Sequence, residues 1–224
     1  MIVKIKRRSA HDSAPYWQSF AYNGPLHVTV SAVLDAINYT DDVVDVEGNP
    51  APRVRWECSC LQAVCGGCAM VINGTPALAC NTFVDEVTKG DLVLEPLSKF
   101  PVVADLMVDR RVIYENLNKA KAYIEGNTVS SKKDHDHQYS VAKCLKCGLC
   151  LEVCPNYHGG SDFYGAVFAN ESYMIASQSS EKPVQALKEY KAHFGAGCSK
   201  ALSCRAVCPV GIETLTSMLK MNRK

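Results

Sequence analysis

Residues Ile2 to Lys6 alternate apolar and basic side chains, and Tyr16 to Tyr22 is rich in aromatics. Period-two patterning of this kind predicts two strands that pair as a hairpin, with the charges of the KIKRR start turned largely to solvent. At Thr29 the period changes. In TVSAVLDAINY the apolar residues Val30, Val33, Leu34 and Ile37 fall on one helical stripe, with Thr29 or Ser31 as cap. Pro50 and Pro52 break the chain before a short strand expected at Val54 to Trp56. Met70 to Ile72 is another strand, and Asn73-Gly74 is a tight-turn pair that leads back toward Pro76 and Ala77. Asp91 to Glu95 gives the last alternating strand.

Beyond this point the pattern is helical. Pro96 and Pro101, with Ser98-Lys99-Phe100 between them, read as a linker. From Val103 to Ile124 apolar residues (Leu106, Ile113, Leu117 and Tyr123 among them) recur at helical spacing, and Gly126 offers a stop. The polar stretch SSKKDHDHQ, residues 130–138, is expected to be a loop. The remainder reads as short helices joined by cysteine-bearing turns. The expectation is an α+β chain of two domains, 1–100 strand-rich and 101–224 helical.

Composition narrows the function. Of 224 residues, 47% are hydrophobic and 21% charged, as in ordinary globular proteins. Lys+Arg at 24 against Asp+Glu at 23 gives no electrostatic reason to expect nucleic acid. No apolar run approaches the roughly 18 residues that cross a bilayer. The N-terminus lacks a signal peptide's apolar core, so a reducing compartment is expected. Twelve cysteines are about 5% of the chain, below the roughly 8–10% of a disulfide scaffold. Thiols kept in such a compartment point to metal or redox chemistry.

Their spacing says which. Cys60, Cys65, Cys68 and Cys80 fall as C-x4-C-x2-C-x11-C, the plant-ferredoxin pattern for a [2Fe–2S] cluster. Gly66 and Gly67 let the backbone wrap closely and offer N–H groups to sulfur. A structural zinc site, which favours paired C-x2-4-C knuckles, fits less well. Farther along, residues 144–155 (CLKCGLCLEVCP) and 198–209 (CSKALSCRAVCP) are two copies of the bacterial run C-x2-C-x2-C-x3-C-P, with Ala201 replacing the second cysteine of the second copy. In two-cluster ferredoxins the fourth cysteine of each run serves the other cluster. That rule gives Cys144, Cys147, Cys150 and Cys208 to a [4Fe–4S] cluster. It leaves Cys154, Cys198 and Cys204 for a second site with three thiolates. Alanine cannot bind iron, so [3Fe–4S] follows. A [4Fe–4S] cluster with an open catalytic corner is the rival, and no substrate-binding set accompanies it. Cys58 is left over, an inert thiol or a substitute ligand.

No dinucleotide fingerprint, phosphate loop, zinc-protease motif or nucleophile elbow is present. His135 and His137 sit in the polar loop and are expected to be solvated. His158 follows Cys154-Pro155 closely and either approaches the second site or is a surface residue. Trp56 and Tyr157 read as packing. From the residues alone the chain is an electron-transfer subunit that needs a two-electron partner.

The order of sites resembles the iron–sulfur subunit of succinate dehydrogenase and fumarate reductase, the complex II family. The resemblance rests on CLQAVCGGCAMVING, the ALAC closing the first site, the connector PLSKFPVVADLMVD and both CP-terminated runs. It implies a β-grasp plant-type ferredoxin domain followed by an α-helical ferredoxin domain. It also implies a partner flavoprotein with FAD, a membrane anchor that can carry haem, and a quinone. Single electrons would pass from flavin through the three clusters to quinone, or the reverse, at the cytoplasmic side of a bacterial membrane, with Pro155, His158 and Ser199 in the quinone's vicinity. Ubiquinone-using members carry tryptophans where this chain has His158 and Gly159, and a histidine where it has Ser199. A family lysine falls on Asn222, with Lys220 near but not aligned. These departures lean toward menaquinone and fumarate reduction. The alternative is a soluble electron-delivery subunit of another flavoenzyme, such as a thiol-dependent fumarate reductase. A cluster-based sensor needs only one labile centre, and three in series argue against it.

Overall fold

The alternating start of the chain becomes strand β1 (Ile2–Arg7), antiparallel to β2 (Tyr16–Ala21) with Ile2 opposite Ala21 and Arg7 opposite Tyr16. In the computed structural model, which describes residues 1–124, 126–128, 134–180 and 183–223, these two strands open a five-stranded sheet. Its order is β2-β1-β5-β3-β4, with β3 (Ala69–Ile72), β4 (Thr75–Leu78) and β5 (Leu92–Glu95). β5 runs parallel to β1, pairing Val3 with Leu92 and Ile5 with Leu94. Helix α1 (Val30–Asn38) is capped by Thr29, whose side chain accepts from the Ala32 N–H. Its Val30, Val33 and Leu34 are fully buried and Ile37 nearly so, each stabilising the core by about 1.5–3 kcal/mol. The short helix α2 (Val84–Val87) follows β4. Asn73 and Gly74 both take positive φ, as the two-residue hairpin between β3 and β4 requires.

Three sequence expectations in this half are corrected. Val54 to Trp56 forms no strand: the Val54 N–H and C=O bond the side chain of Asn38, and the Arg55 N–H donates to Asp105. Arg7 shares the inward face of Val3 and Ile5 and is 2% exposed. Its guanidinium donates to Asp105 Oδ2 at 3.0 Å, to Gln18 and to the Pro52 carbonyl. Its Nε lies 3.0 Å from Asp105 Oδ1, an ion-pair contact outside hydrogen-bond geometry. Finally, the stretch read as the start of a long helix is a hairpin of β6 (Val102–Ala104) and β7 (Met107–Val108), turned by Asp105 at φ 45°. The chain divides into two compact units, Met1–Asp109 and Arg110–Lys224.

The second unit is helical. It contains α3 (Arg111–Lys119), α4 (His135–Ala142), α5 (Leu149–Glu152), α6 (Gly165–Gln178), α7 (Pro183–Tyr190), α8 (Ser203–Ala206) and α9 (Thr214–Asn222). A π-helical turn, Lys191–Gly195, extends α7. α6 is buried on nearly every side, and α3, α4, α5, α7 and α9 all pack against it. Phe168, Ala169 and Tyr173 of α6 meet Tyr190, Phe194, Met218 and Met221 in the core. The expected loop at 130–138 is helical from His135, and residues 130–133 lie outside the described ones. Its polar groups have folded partners. His137 Nε2 lies 2.9 Å from Ser217 Oγ, the buried Gln138 bonds Ser177, and Asp134 pairs with Lys220. His137 is therefore not a solvated residue, whereas His135 is exposed.

Candidate metal centres

The first cysteine loop is wrapped by positive φ at Leu61, Ala63 and Gly66. This winding turns amide groups inward. Gln62 N–H donates to Cys60 Sγ at 3.4 Å, Gly67 N–H to Cys65 Sγ at 3.4 Å and Ala63 N–H to Cys80 Sγ at 3.3 Å. Cys80 arrives from far along the chain because β3 and β4 pair Ala69 with Leu78, so that Cys68 and Cys80 flank the open end of that hairpin. The Ala79 N–H donates to the Cys68 carbonyl, and the Cys80 N–H to Cys68 Sγ. Sequence reasoning anticipated the Gly67 amide. It missed Gln62 and Ala63, whose amides turn inward only through left-handed backbone that no residue type there announces.

The thiols of this loop are unequal. Backbone N–H groups of Gln62 and Val64, then the Cys65 side chain, bring Cys60 down to about 7. Burial pushes Cys68 up to about 12. Cys58 stands exposed beside the loop, its thiol raised by desolvation and by Asp35.

In the second unit the sequence repeat is also a backbone repeat. Lys146 (φ 53°) and Gly148 (φ 87°) precede α5, and Lys200 (φ 61°) and Leu202 (φ 58°) precede α8 at the equivalent positions. Cys144, Cys147, Cys150 and Cys208, drawn from both runs, line one cavity walled by Leu145, Val167, Pro209, Val210 and Ile212. Cys204 reaches the same cavity. Burial raises the thiols around it: Cys147 to about 11, Cys144 above its usual value and Cys150 well above. The Ile212 N–H donates to Cys208 Sγ at 3.3 Å, and Arg110 holds the Cys147 carbonyl at 3.3 Å. Cys204 is likewise raised by burial, with the charges of Cys154 and Cys198 close enough to add to it. The Lys200 N–H donates to Cys198 Sγ at 3.4 Å. Pro155, His158 and Ser199 lie exposed on the turns beside Cys154 and Cys198.

Among the described residues no three His, Cys, Asp or Glu side chains converge on a single-ion site. The donors are soft thiols, approached by backbone N–H groups and shielded by apolar walls, which suits iron–sulfur clusters. An isolated thiolate in such surroundings is costly. These buried groups rest as neutral thiols, and a cluster bound there would take up the thiolate charge as each thiol gives up its proton.

Comparison with known proteins agrees. Residues 2–115 match the family described as a 2Fe-2S iron-sulfur cluster binding domain, and residues 140–212 match the 4Fe-4S dicluster domain. The chain is 31% identical to the succinate dehydrogenase iron-sulfur subunit of Bacillus subtilis (strain 168), over 98% of this chain and 90% of that protein. It is 32% identical to the fumarate reductase iron-sulfur subunit of Escherichia coli O6:H1, over 90% of this chain and 83% of that one. A chain of the Mycobacterium smegmatis Sdh1 complex in the apo form superposes with a TM-score of 0.76 at 21% identity, covering 99% of this chain and 93% of that chain. At that identity it shows the fold: a sheet-bearing unit followed by a helical one.

Proposed function

Because the chain belongs to the family of succinate dehydrogenase and fumarate reductase iron–sulfur subunits, the electron-transfer subunits of an oxidoreductase complex, we propose that it links the FAD of a partner flavoprotein to a membrane quinone. In this reading the sheet unit is a β-grasp ferredoxin domain holding [2Fe–2S] on Cys60, Cys65, Cys68 and Cys80. The helical unit is a ferredoxin domain holding [4Fe–4S] on Cys144, Cys147, Cys150 and Cys208, and [3Fe–4S] on Cys154, Cys198 and Cys204. When bound, these clusters supply one-electron carriers between a two-electron flavin and the quinone.

The chain's own residues do the rest. The Gln62 amide favours the thiolate form of Cys60, and the Ala63 and Gly67 amides donate to the sulfurs of Cys80 and Cys65. Val167 and Ile212 help to wall the larger cavity with apolar surface, and Arg110 fixes the Cys147 turn. Ala201 offers no ligand at the corner where its counterpart Cys147 binds. No described helix is long and apolar enough to cross a membrane. In this reading an anchor subunit, which can carry haem, attaches the chain at the cytoplasmic face, with the quinone near Pro155, His158 and Ser199. The residues at His158 and Ser199 favour menaquinone and fumarate reduction.

One observation supports this reading: Cys208 of the second run lines the same cavity as Cys144, Cys147 and Cys150 of the first, as the crossed-ligand rule expects, with Cys204 also at its wall. The test is the complex drawn anaerobically from gently solubilised membranes through a tag on this chain. We expect quinol-dependent fumarate reduction, succinate-dependent quinone reduction, and EPR signals of three distinct clusters. Recovery in the soluble fraction with a flavoprotein, and neither activity, would sink the quinone reading. That result would favour the second reading, electron delivery to another flavoenzyme, for which the departures at His158 and Ser199 leave room.

A further inference from the structure

Asn170 is a polar residue in the middle of the most deeply buried helix, α6, and is 4% exposed. Its amide Nδ2 donates to Thr214 Oγ1 at 3.1 Å, and Thr214 is 3% exposed. Its Oδ1 makes no hydrogen bond, although it is fully buried. Asn170 and Thr214 line the cavity shared by Cys144, Cys147, Cys150 and Cys208. Among the described residues lining it they are, apart from cysteine, the only ones with polar side chains; the others are aliphatic, proline or glycine.

A buried carbonyl oxygen with no donor is costly. Half a turn of the amide group exchanges its oxygen and nitrogen in nearly the same volume. The threonine hydroxyl both donates and accepts, so it keeps the bond by donating to Oδ1. The amide N–H then takes the place of the unpaired oxygen, in a residue that lines the cavity of Cys144, Cys147, Cys150, Cys204 and Cys208. Resting on the cluster assignment above, we propose that Asn170, anchored by Thr214, donates a side-chain N–H hydrogen bond to the [4Fe–4S] cluster and raises its reduction potential. A four-thiolate cluster is anionic when oxidised and gains one further negative charge when reduced. A donor to its sulfur therefore stabilises the reduced state more.

The experiment is an EPR-monitored redox titration of the purified complex, after iron and sulfide analysis. In Asn170→Leu, held at the wild-type midpoint of this cluster, the reduced-to-oxidised ratio falls by up to tenfold, which is 59 mV for a one-electron couple. The [2Fe–2S] midpoint does not move. Thr214→Val, which loosens the anchor and keeps the amide, gives a smaller fall in the same direction. A second readout uses the wild type alone: with asparagine carrying 15N at its side-chain amide, pulsed EPR of the reduced tetranuclear cluster shows a 15N coupling. That readout stands if Asn170→Leu does not assemble. An unmoved midpoint in Asn170→Leu, or no 15N coupling in the wild type, overturns the proposal while the cluster assignment survives. A wild-type complex with no tetranuclear signal overturns the cluster assignment first, and this inference with it.

Discussion

Arg7 and Asp105 set the energetics of the first unit at the scale of single residues. Both are 2% exposed, and Asp105 also accepts from the Arg8 and Arg55 amides. Removing the carboxylate leaves a guanidinium buried without its counter-charge, so Asp105→Ala is expected to cost about 3–5 kcal/mol in denaturant unfolding. A loss under about 1 kcal/mol would show that water replaces the carboxylate. The cysteines make a second residue-scale prediction. Cys60→Ala should abolish the [2Fe–2S] absorption and EPR signals, and Cys58→Ala should leave both intact. The converse result would make Cys58 the ligand. The thiol pattern was legible in the sequence because ligand spacing is local. Arg7 was not. It continues a basic run that reads as a solvated strand face, and the partner that permits its burial lies on a hairpin far along the chain.

At the scale of elements, the two bacterial runs share one backbone course through α5 and α8, including left-handed residues at matching positions. Leu202 adopts φ 58° where its counterpart is Gly148, so the second run keeps this geometry without glycine and without the second cysteine. Ala201 therefore sits at the position that Cys147 holds in the first run. Under the proposed cluster assignment, Ala201→Cys is expected to convert a three-iron centre to a four-iron one, seen as loss of the trinuclear EPR signal and one added iron per chain. An unchanged signal would mean that this position does not face the cluster.

The packing of α4 against α6 and α9 carries a pH prediction. Burial, then Lys220, lowers His137 below its usual 6.5, against opposing contributions from Asp134 and Glu213. The unfolded chain then binds the proton more readily. The stabilising contribution is complete above about 6.5 and is lost as pH falls through the lower folded value. His137→Gln should flatten the difference in unfolding midpoint between pH 7.5 and 5.5, relative to wild type. A parallel pH response in both proteins would remove His137 from the account. Nothing in the DHDHQ pattern announces α4, because its polar groups are satisfied by Ser177, Ser217 and Lys220 from distant elements.

At the scale of the whole molecule, the position of the β6–β7 hairpin decides where the chain can be divided. The prolines at 96 and 101 mark a turn in the chain, but the hairpin beyond them carries Asp105, which belongs to the charge network of the first strand. A fragment ending at Asp109 keeps the sheet, α1, the loop of Cys60 to Cys68 and Cys80, and the counter-charge of Arg7 together. It is expected to fold alone and to reconstitute a single [2Fe–2S] cluster. A fragment ending at Phe100 retains all four cysteines and the whole five-stranded sheet, yet buries Arg7 with no carboxylate. It should unfold about 3–5 kcal/mol more easily, the cost of an unpaired buried charge. The two fragments differ by no predicted cluster ligand, so comparing their stabilities separates the architecture from the metal chemistry. Equal stability would place the end of the folding unit at the prolines after all, with Arg7 released to solvent in the shorter piece.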